Sequence, residues 1–309
     1  MAQNLQGLRR AIENSGDSAP KPMDSKDPTG LKQALVASTV DLSSHLTNDV
    51  QILLSYLSST EPDLNAMKRI IEELLILTDE LDQSNIFLNV GGQDVLNRLL
   101  FRGPPSLRID GLKLLANITQ NNSQAQKLYT DNGVLARLIL MFKEETGLEF
   151  SRHLLLAISC ITQTYAPGIS VFTESKGVDL VLDALIREVK KTKSDEVNRL
   201  VAKGAFLVYC VMQEPASKPL QSELPSTVHK LIDLLYLLEA PQEHLLATLT
   251  FLLCPSDGDS SCATKILSEK PYESFRNWLQ RHFDELRNKN DPADEERLNY
   301  INCLLKVLS

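Results

Sequence analysis

Residues able to do chemistry are scattered in this chain. The five histidines, His45, His153, His229, His244 and His282, share no spacing that would bring two of them to one metal ion. The five cysteines, Cys160, Cys210, Cys254, Cys262 and Cys303, form no Cys-x-x-Cys pair, and Cys160 and Cys210 fall in apolar helical stretches where a thiol packs rather than reacts. Asp257-Gly258-Asp259 has the start of a calcium loop without its later glutamate, which makes it a plain turn. There is no phosphate-cradling glycine loop, no Gly-x-Ser-x-Gly elbow and no His-Glu-x-x-His helix. No catalytic residue, no metal ligand and no cofactor is therefore assigned, and the expectation is a non-enzyme. The remaining chemistry is that of binding, carried by charged and aromatic side chains.

Those side chains sit on a repeating scaffold. Three segments align on a glycine: Gly92-Gln93-Asp94-Val95-Leu96, Gly133-Val134-Leu135-Ala136-Arg137 and Gly177-Val178-Asp179-Leu180-Val181, spaced by 41 and 44 residues. Ile118-Thr119-Gln120 and Ile161-Thr162-Gln163 precede the second and third of them by 15 and 16 residues, with a weaker copy at Val211-Met212-Gln213. The period is that of armadillo and HEAT repeats, about 40–47 residues. Each unit reads as three helices; in the second these are Leu107 to Thr119, Ser123 to Tyr129 with a serine cap, and Val134 to Lys143. Gly133 fits the left-handed residue at the turn between the last two. Alternating β-branched runs are scarce. The fold class expected is all-α, an armadillo/HEAT-like right-handed superhelical solenoid of about four to five repeats with helical caps.

The ends depart from the repeat. Residues 1–14 carry Leu5, Leu8 and Ile12 on one face of a helix too short to stand alone. Residues 15–30 are rich in Ser, Pro, Asp and Gly and read as a flexible linker. The solenoid is expected over residues 31–309. At its end Leu298, Ile301, Leu305 and Leu308 form one stripe and Asp294, Glu295 and Arg297 the other face, the pattern of a terminal cap.

Charge and targeting narrow the setting. With 32 Lys and Arg against 40 Asp and Glu, the 309-residue chain carries a formal charge of −8, which disfavours nucleic acid as a partner. The odd cysteine count points to a reducing compartment. Met1 to Asn14 has no apolar signal run, and Lys306-Val307-Leu308-Ser309 is neither a retention tetrapeptide nor a prenylation box. The uncharged stretch from Leu154 to Thr173 stays in repeat register and reads as buried helix plus loop rather than a membrane span. A cytoplasmic monomer that engages neither membrane nor nucleic acid is expected.

Solenoids bind along the concave face, which the helix ending at the Ile-Thr-Gln signature builds. The residue before the signature is Ile76, Asn117, Cys160, Cys210 or Phe251 in successive units; one turn back stand Glu72, Lys113, Leu156, Phe206 and Ala247. A groove for extended peptide would repeat asparagine in the first set and often tryptophan in the second, and neither repeats here. A further turn back are Arg69, Asp110, His153, Lys203 and His244, with Lys68, Arg108, Arg152 and Arg199 close by. A basic lining on an acidic protein fits an acidic globular partner. The candidate partner-binding residues are Arg69, Lys113, Asn117, Arg152, His153, Arg199, Lys203, Phe206 and His244.

The motifs in order carry a resemblance. Asn4-Leu5-Gln6-Gly7-Leu8 with Ala11-Ile12-Glu13, then Ala157-Ile158-Ser159-Cys160, Lys203-Gly204-Ala205-Phe206-Leu207 and Cys303-Leu304-Leu305 together resemble the cytosolic armadillo-type nucleotide exchange factors of seventy-kilodalton heat-shock chaperones, the heat-shock-protein-binding protein family. Two departures stand out: the family's tryptophan in the opening segment is absent, and Cys210 stands where the family pattern has asparagine. The resemblance implies a co-chaperone that holds the chaperone's ATPase domain in its concave face and promotes ADP release. It also implies that the segment bearing Leu5, Leu8 and Ile12 occupies the chaperone's client site.

Overall fold

A computed structural model describes residues 28–144, 147–215, 223–254 and 272–308, with backbone alone for 28–41. The N-terminal segment with Leu5, Leu8 and Ile12, most of the expected linker, Asp257-Gly258-Asp259 and Cys262 lie outside the described residues. Packing divides the chain into two units, Met1–His45 and Leu46–Ser309. The first contributes the opening turns of helix α1 (Pro28–Ser58), which already includes the last three positions of the expected linker.

The second unit is built of helices alone among the described residues. After α1 come α2 (Leu64–Leu77), α3 (Leu81–Phe87), α4 (Gln93–Phe101), α5 (Arg108–Thr119), α6 (Ser123–Asp131), α7 (Val134–Leu140) and α8 (Leu148–Thr162). Then follow α9 (Ala166–Glu174), α10 (Gly177–Lys191), α11 (Asp195–Gln213), α12 (Leu224–Leu238), α13 (Glu243–Leu253), α14 (Glu273–Lys289) and α15 (Glu295–Val307). Phased so that the long helix that opens the unit in the sequence reading closes it, three triplets are complete among the described residues: α3–α5, α6–α8 and α9–α11. The aligned glycines introduce the second helix of each triplet, as the period requires.

Third helices stack on third helices. α2 packs on α5, α5 on α8, α8 on α11, α11 on α13 and α13 on α15. Second helices α7, α10 and α12 form a parallel row, and first helices α6 and α9 touch as well. The helices are amphipathic because apolar residues recur every three to four positions, and stacking covers that stripe in one continuous core from Leu46 to Leu304. The uncharged stretch from Leu154 to Thr173 is part of α8 and α9, and no helix among the described residues is long and apolar enough to cross a membrane.

Local chemistry fixes the joints. Asp63 caps α2 by accepting from the amides of Asn65 and Ala66, both at 3.0 Å. Ser194 accepts from Val197 at the start of α11. Asn122, rather than the expected Ser123, caps α6 through Ala125, because it is the residue still in extended conformation. Gly133 is left-handed, at φ 72°, as its turn requires. At the third aligned glycine the left-handed residue is instead Lys176, at φ 58°, and Gly177 is needed for a different reason: a Cβ there would fall 2.6 Å from the ring of Phe172. The signature threonines bond back along their own helices, Thr119 to the Leu115 carbonyl at 2.7 Å and Thr162 to that of Ile158 at 3.0 Å. Thr78 does the same to Leu74 at 2.7 Å, marking the end of α2 as an equivalent position.

The C-terminal cap differs in one respect from its sequence pattern. Ile301 and Leu304 are buried and Leu298, Leu305 and Leu308 half-buried, but Asp294, expected on the solvent face, is buried and ion-paired with Arg297. A carboxylate at the start of α15 both meets the positive end of that helix and ties its first turn to Arg297.

Candidate protein-binding groove

The third-helix row carries the candidate residues, and its middle forms a groove. Arg152 and Glu149 from α8 and Glu196, Arg199 and Lys203 from α11, with Leu148 and Leu200, line a cavity of about 430 Å³. Three of the expected cations thus meet across two repeats, because positions 47 and 51 residues apart in the chain share one register of the stack. Arg152, Arg199 and Lys203 are exposed, and none makes an ion pair among the described residues. Glu149 and Glu196, which the repeat reading passed over, alternate with them, so the lining is mixed in sign with a cationic excess. The signal for both was present: each stands three residues before one of the arginines.

Beside the groove lies a second charged cluster. Lys113 on α5 is bridged to Asp110 at 3.1 Å, and His153 Nε2 lies 3.2 Å from the Arg152 guanidinium. Burial, followed by the charges of Arg152 and Lys113, pushes the His153 imidazole below its ordinary pKa against the opposing pull of Glu149 and Asp110. Buried His282 on α14 is also pushed down, chiefly by burial, despite Glu285 at 3.0 Å. The sign of the consequence is fixed. An imidazole whose folded pKa lies below its unfolded value of about 6.5 leaves the folded state intact above that pH and favours the unfolded state as protons bind below it. The melting temperature should therefore fall as pH is lowered through about 6.5, and the double variant His153→Gln, His282→Gln should flatten that slope in a calorimetric series; an unchanged slope would show that these imidazoles do not control it.

An apolar and aromatic strip adjoins the groove. Leu156 on α8, Phe206 on α11 and Phe251 on α13 are 42, 49 and 46% exposed. The Phe206 ring is held by His244 on α13, with centroids 5.0 Å apart, and Tyr209 stacks on the same imidazole at 6.3 Å. Phe206 is thus a surface residue supported from behind, not a core residue. Leu156 and Phe251 belong to the same registers as the expected residues and are legible in them. Ile76, 76% exposed on α2, continues the apolar character, whereas Arg69 on α2 lies outside the groove.

One expected contact has another role. Asn117 on α5 is half-buried, and its Nδ2 donates to the Leu75 carbonyl and to Thr78 Oγ1, both at 3.1 Å, so its amide ties α5 to the end of α2. Cys160, in the same register, is buried, while Cys210 is exposed rather than packed inside. Partial desolvation and the nearby Glu214 push the Cys210 thiol up, and burial pushes Cys254 up to about 11, so neither is a ready nucleophile.

Solved structures share this architecture. A designed armadillo repeat protein superposes with a TM-score of 0.57 at 15% identity, covering 85% of this chain and 100% of that one. An engineered protein gives 0.56 at 18% identity over 84% of this chain and 96% of its own. A designed armadillo repeat protein in complex with the peptide (KR)4 gives 0.51 at 15% identity over 85 and 99%. The fold is an armadillo-type all-α solenoid. No protein-family model and no curated protein matches the chain.

Proposed function

We propose that this chain is a nucleotide exchange factor for a seventy-kilodalton heat-shock chaperone, docking the chaperone's ATPase domain on the third-helix row. The observation that carries the reading is the α8–α11 groove, where three cations without ion partners among the described residues adjoin exposed Leu156 and Phe206. Cations that folding leaves without an opposite charge and a supported aromatic anchor are what a protein interface uses. The designed neighbour solved with (KR)4 holds a basic peptide; the cationic excess here selects an acidic surface instead.

The action needs no bond chemistry in this chain. A solenoid bound to one lobe of the ATPase domain favours the open nucleotide cleft, and coupling is reciprocal: tenfold weaker ADP binding means tenfold weaker binding of this protein to the ADP-loaded chaperone, about 1.4 kcal/mol. In this reading residues 31–309 form the docking body, and the segment with Leu5, Leu8 and Ile12 is a tethered competitor for the client site. A flexible linker over residues 15–27, ahead of α1, would span about 18–22 Å and present that segment at about millimolar effective concentration.

Stopped-flow release of fluorescent ADP from the chaperone tests the reading. Acceleration is expected from the full chain and from a chain lacking residues 1–13, but with spare client peptide present the truncated chain should leave client release incomplete. Binding without acceleration would assign the chain to the adaptor solenoids that hold a signalling partner. Complete client release by the truncated chain would remove the role of the segment.

A further inference from the structure

Two sets of side chains lie side by side on the third-helix row. One is apolar, made of Leu156 and Phe206 in one register on α8 and α11 and of Phe251, one turn further along α13. The other is cationic, made of Arg152, Arg199 and Lys203. Arg152 precedes Leu156 by four residues and Lys203 precedes Phe206 by three, so each of these pairs lies one helical turn apart, about 5–6 Å, with Arg199 one turn further back on α11. Packed helices are spaced by about 8–10 Å, which sets the distance between rungs.

Two kinds of segment match that spacing, an α-helix with apolar residues every seven positions at about 10.5 Å and an extended polyproline II segment with every third at about 9.3 Å. Backbone hydrogen bonding separates them. An extended segment arrives with unpaired N–H and C=O groups that the receiving face must satisfy. Along this row the matching register offers Ile76, Asn117, Cys160, Cys210 and Phe251; the Asn117 Nδ2 already bonds Leu75 and Thr78, and the apolar rungs offer a backbone nothing. An α-helix satisfies its own backbone and needs only an apolar stripe and flanking carboxylates.

We propose that the element seated on this row is an amphipathic α-helix whose apolar stripe meets Leu156, Phe206 and Phe251 and whose carboxylates face Arg152, Arg199 and Lys203. The inference rests on the reading of this row as the protein-binding face and adds the kind of surface that it accepts.

The test uses the full chain and a fluorescein-labelled peptide of about 21 residues. The peptide has leucine at every seventh position, glutamate on one flank and alanine elsewhere, and is lactam-bridged to hold the helix. A comparator of equal charge carries two interior prolines. Fluorescence anisotropy should show the helical peptide binding at least about tenfold tighter. Phe206→Ser should weaken it about tenfold at any salt concentration, whereas the loss from Arg199→Glu should shrink at high salt. Equal binding of the two peptides, tighter binding of the proline peptide, or no binding of either would overturn the proposal. A chain that prefers the helix but does not accelerate ADP release keeps this inference and loses the exchange reading; the converse result does the reverse.

Discussion

The double variant Arg199→Glu, Lys203→Glu is expected to weaken binding to the chaperone ATPase domain by at least about a hundredfold while leaving the melting temperature within a degree or two of the parent. Both side chains are exposed and make no ion pair among the described residues, so folding does not draw on their charge. The substitution turns a groove lined by three cations and two carboxylates into one lined by a single cation and four carboxylates. Like charges brought together across an interface cost several kcal/mol, and about 2.7 kcal/mol is already a hundredfold. Surface plasmon resonance at two ionic strengths separates the parts. The association rate should carry much of the loss at low salt, because steering is the first thing that reversed charge removes. An affinity within about threefold of the parent would place the docking face elsewhere on the molecule.

Phe172→Ala should cost about 3–5 kcal/mol. The ring is fully buried and fills the space that Gly177 leaves open by lacking a Cβ, at the joint between α9 and α10. In a stacked solenoid each unit is held mainly by its neighbours, so a cavity in the middle weakens the coupling between the two ends as well as the local triplet. The chain has a single tryptophan, Trp278, and it lies on α14 near the C-terminal end. Its ring sits in an aromatic cluster, 6.1 Å from Phe275 and 6.0 Å from Tyr236 between centroids, so its emission reports that end alone. In urea, the tryptophan signal and the helical circular dichroism should coincide for the parent and separate for Phe172→Ala. Coincident transitions in the variant would mean that the chain unfolds as one cooperative body despite its repeats.

The repeat was legible because each device that builds it leaves a residue in the sequence. The aligned glycines mark the start of the second helices, and the Ile-Thr-Gln signatures mark the ends of third helices, where Thr119 and Thr162 bond back to their own carbonyls. Repeat register also placed Arg152, Arg199 and Lys203 on one row. Glu149 and Glu196, one turn before Arg152 and Arg199, were legible by the same spacing, but the cavity between α8 and α11 that all five line was not. Exposure within a register was not legible either. Ile76 is 76% exposed and Cys160 is 6% exposed at nominally matching positions, on helices of 14 and 15 residues that have different neighbours. Phe206 could not be assigned to core or surface by its type; the answer came from His244, one repeat on, which supports the ring from below. Asn117 has the residue type of a ligand contact, and only the approach of the Leu75 carbonyl and Thr78 reveals that its amide holds two repeats together.

The central claim is that docking on the third-helix row and ADP binding to the chaperone oppose one another. Isothermal titration of the full chain into the chaperone ATPase domain, once nucleotide-free and once saturated with ADP, measures that coupling directly. The account predicts binding at least about tenfold tighter to the empty domain, a difference of about 1.4 kcal/mol that ADP release must mirror. Equal affinity for the two forms would contradict it.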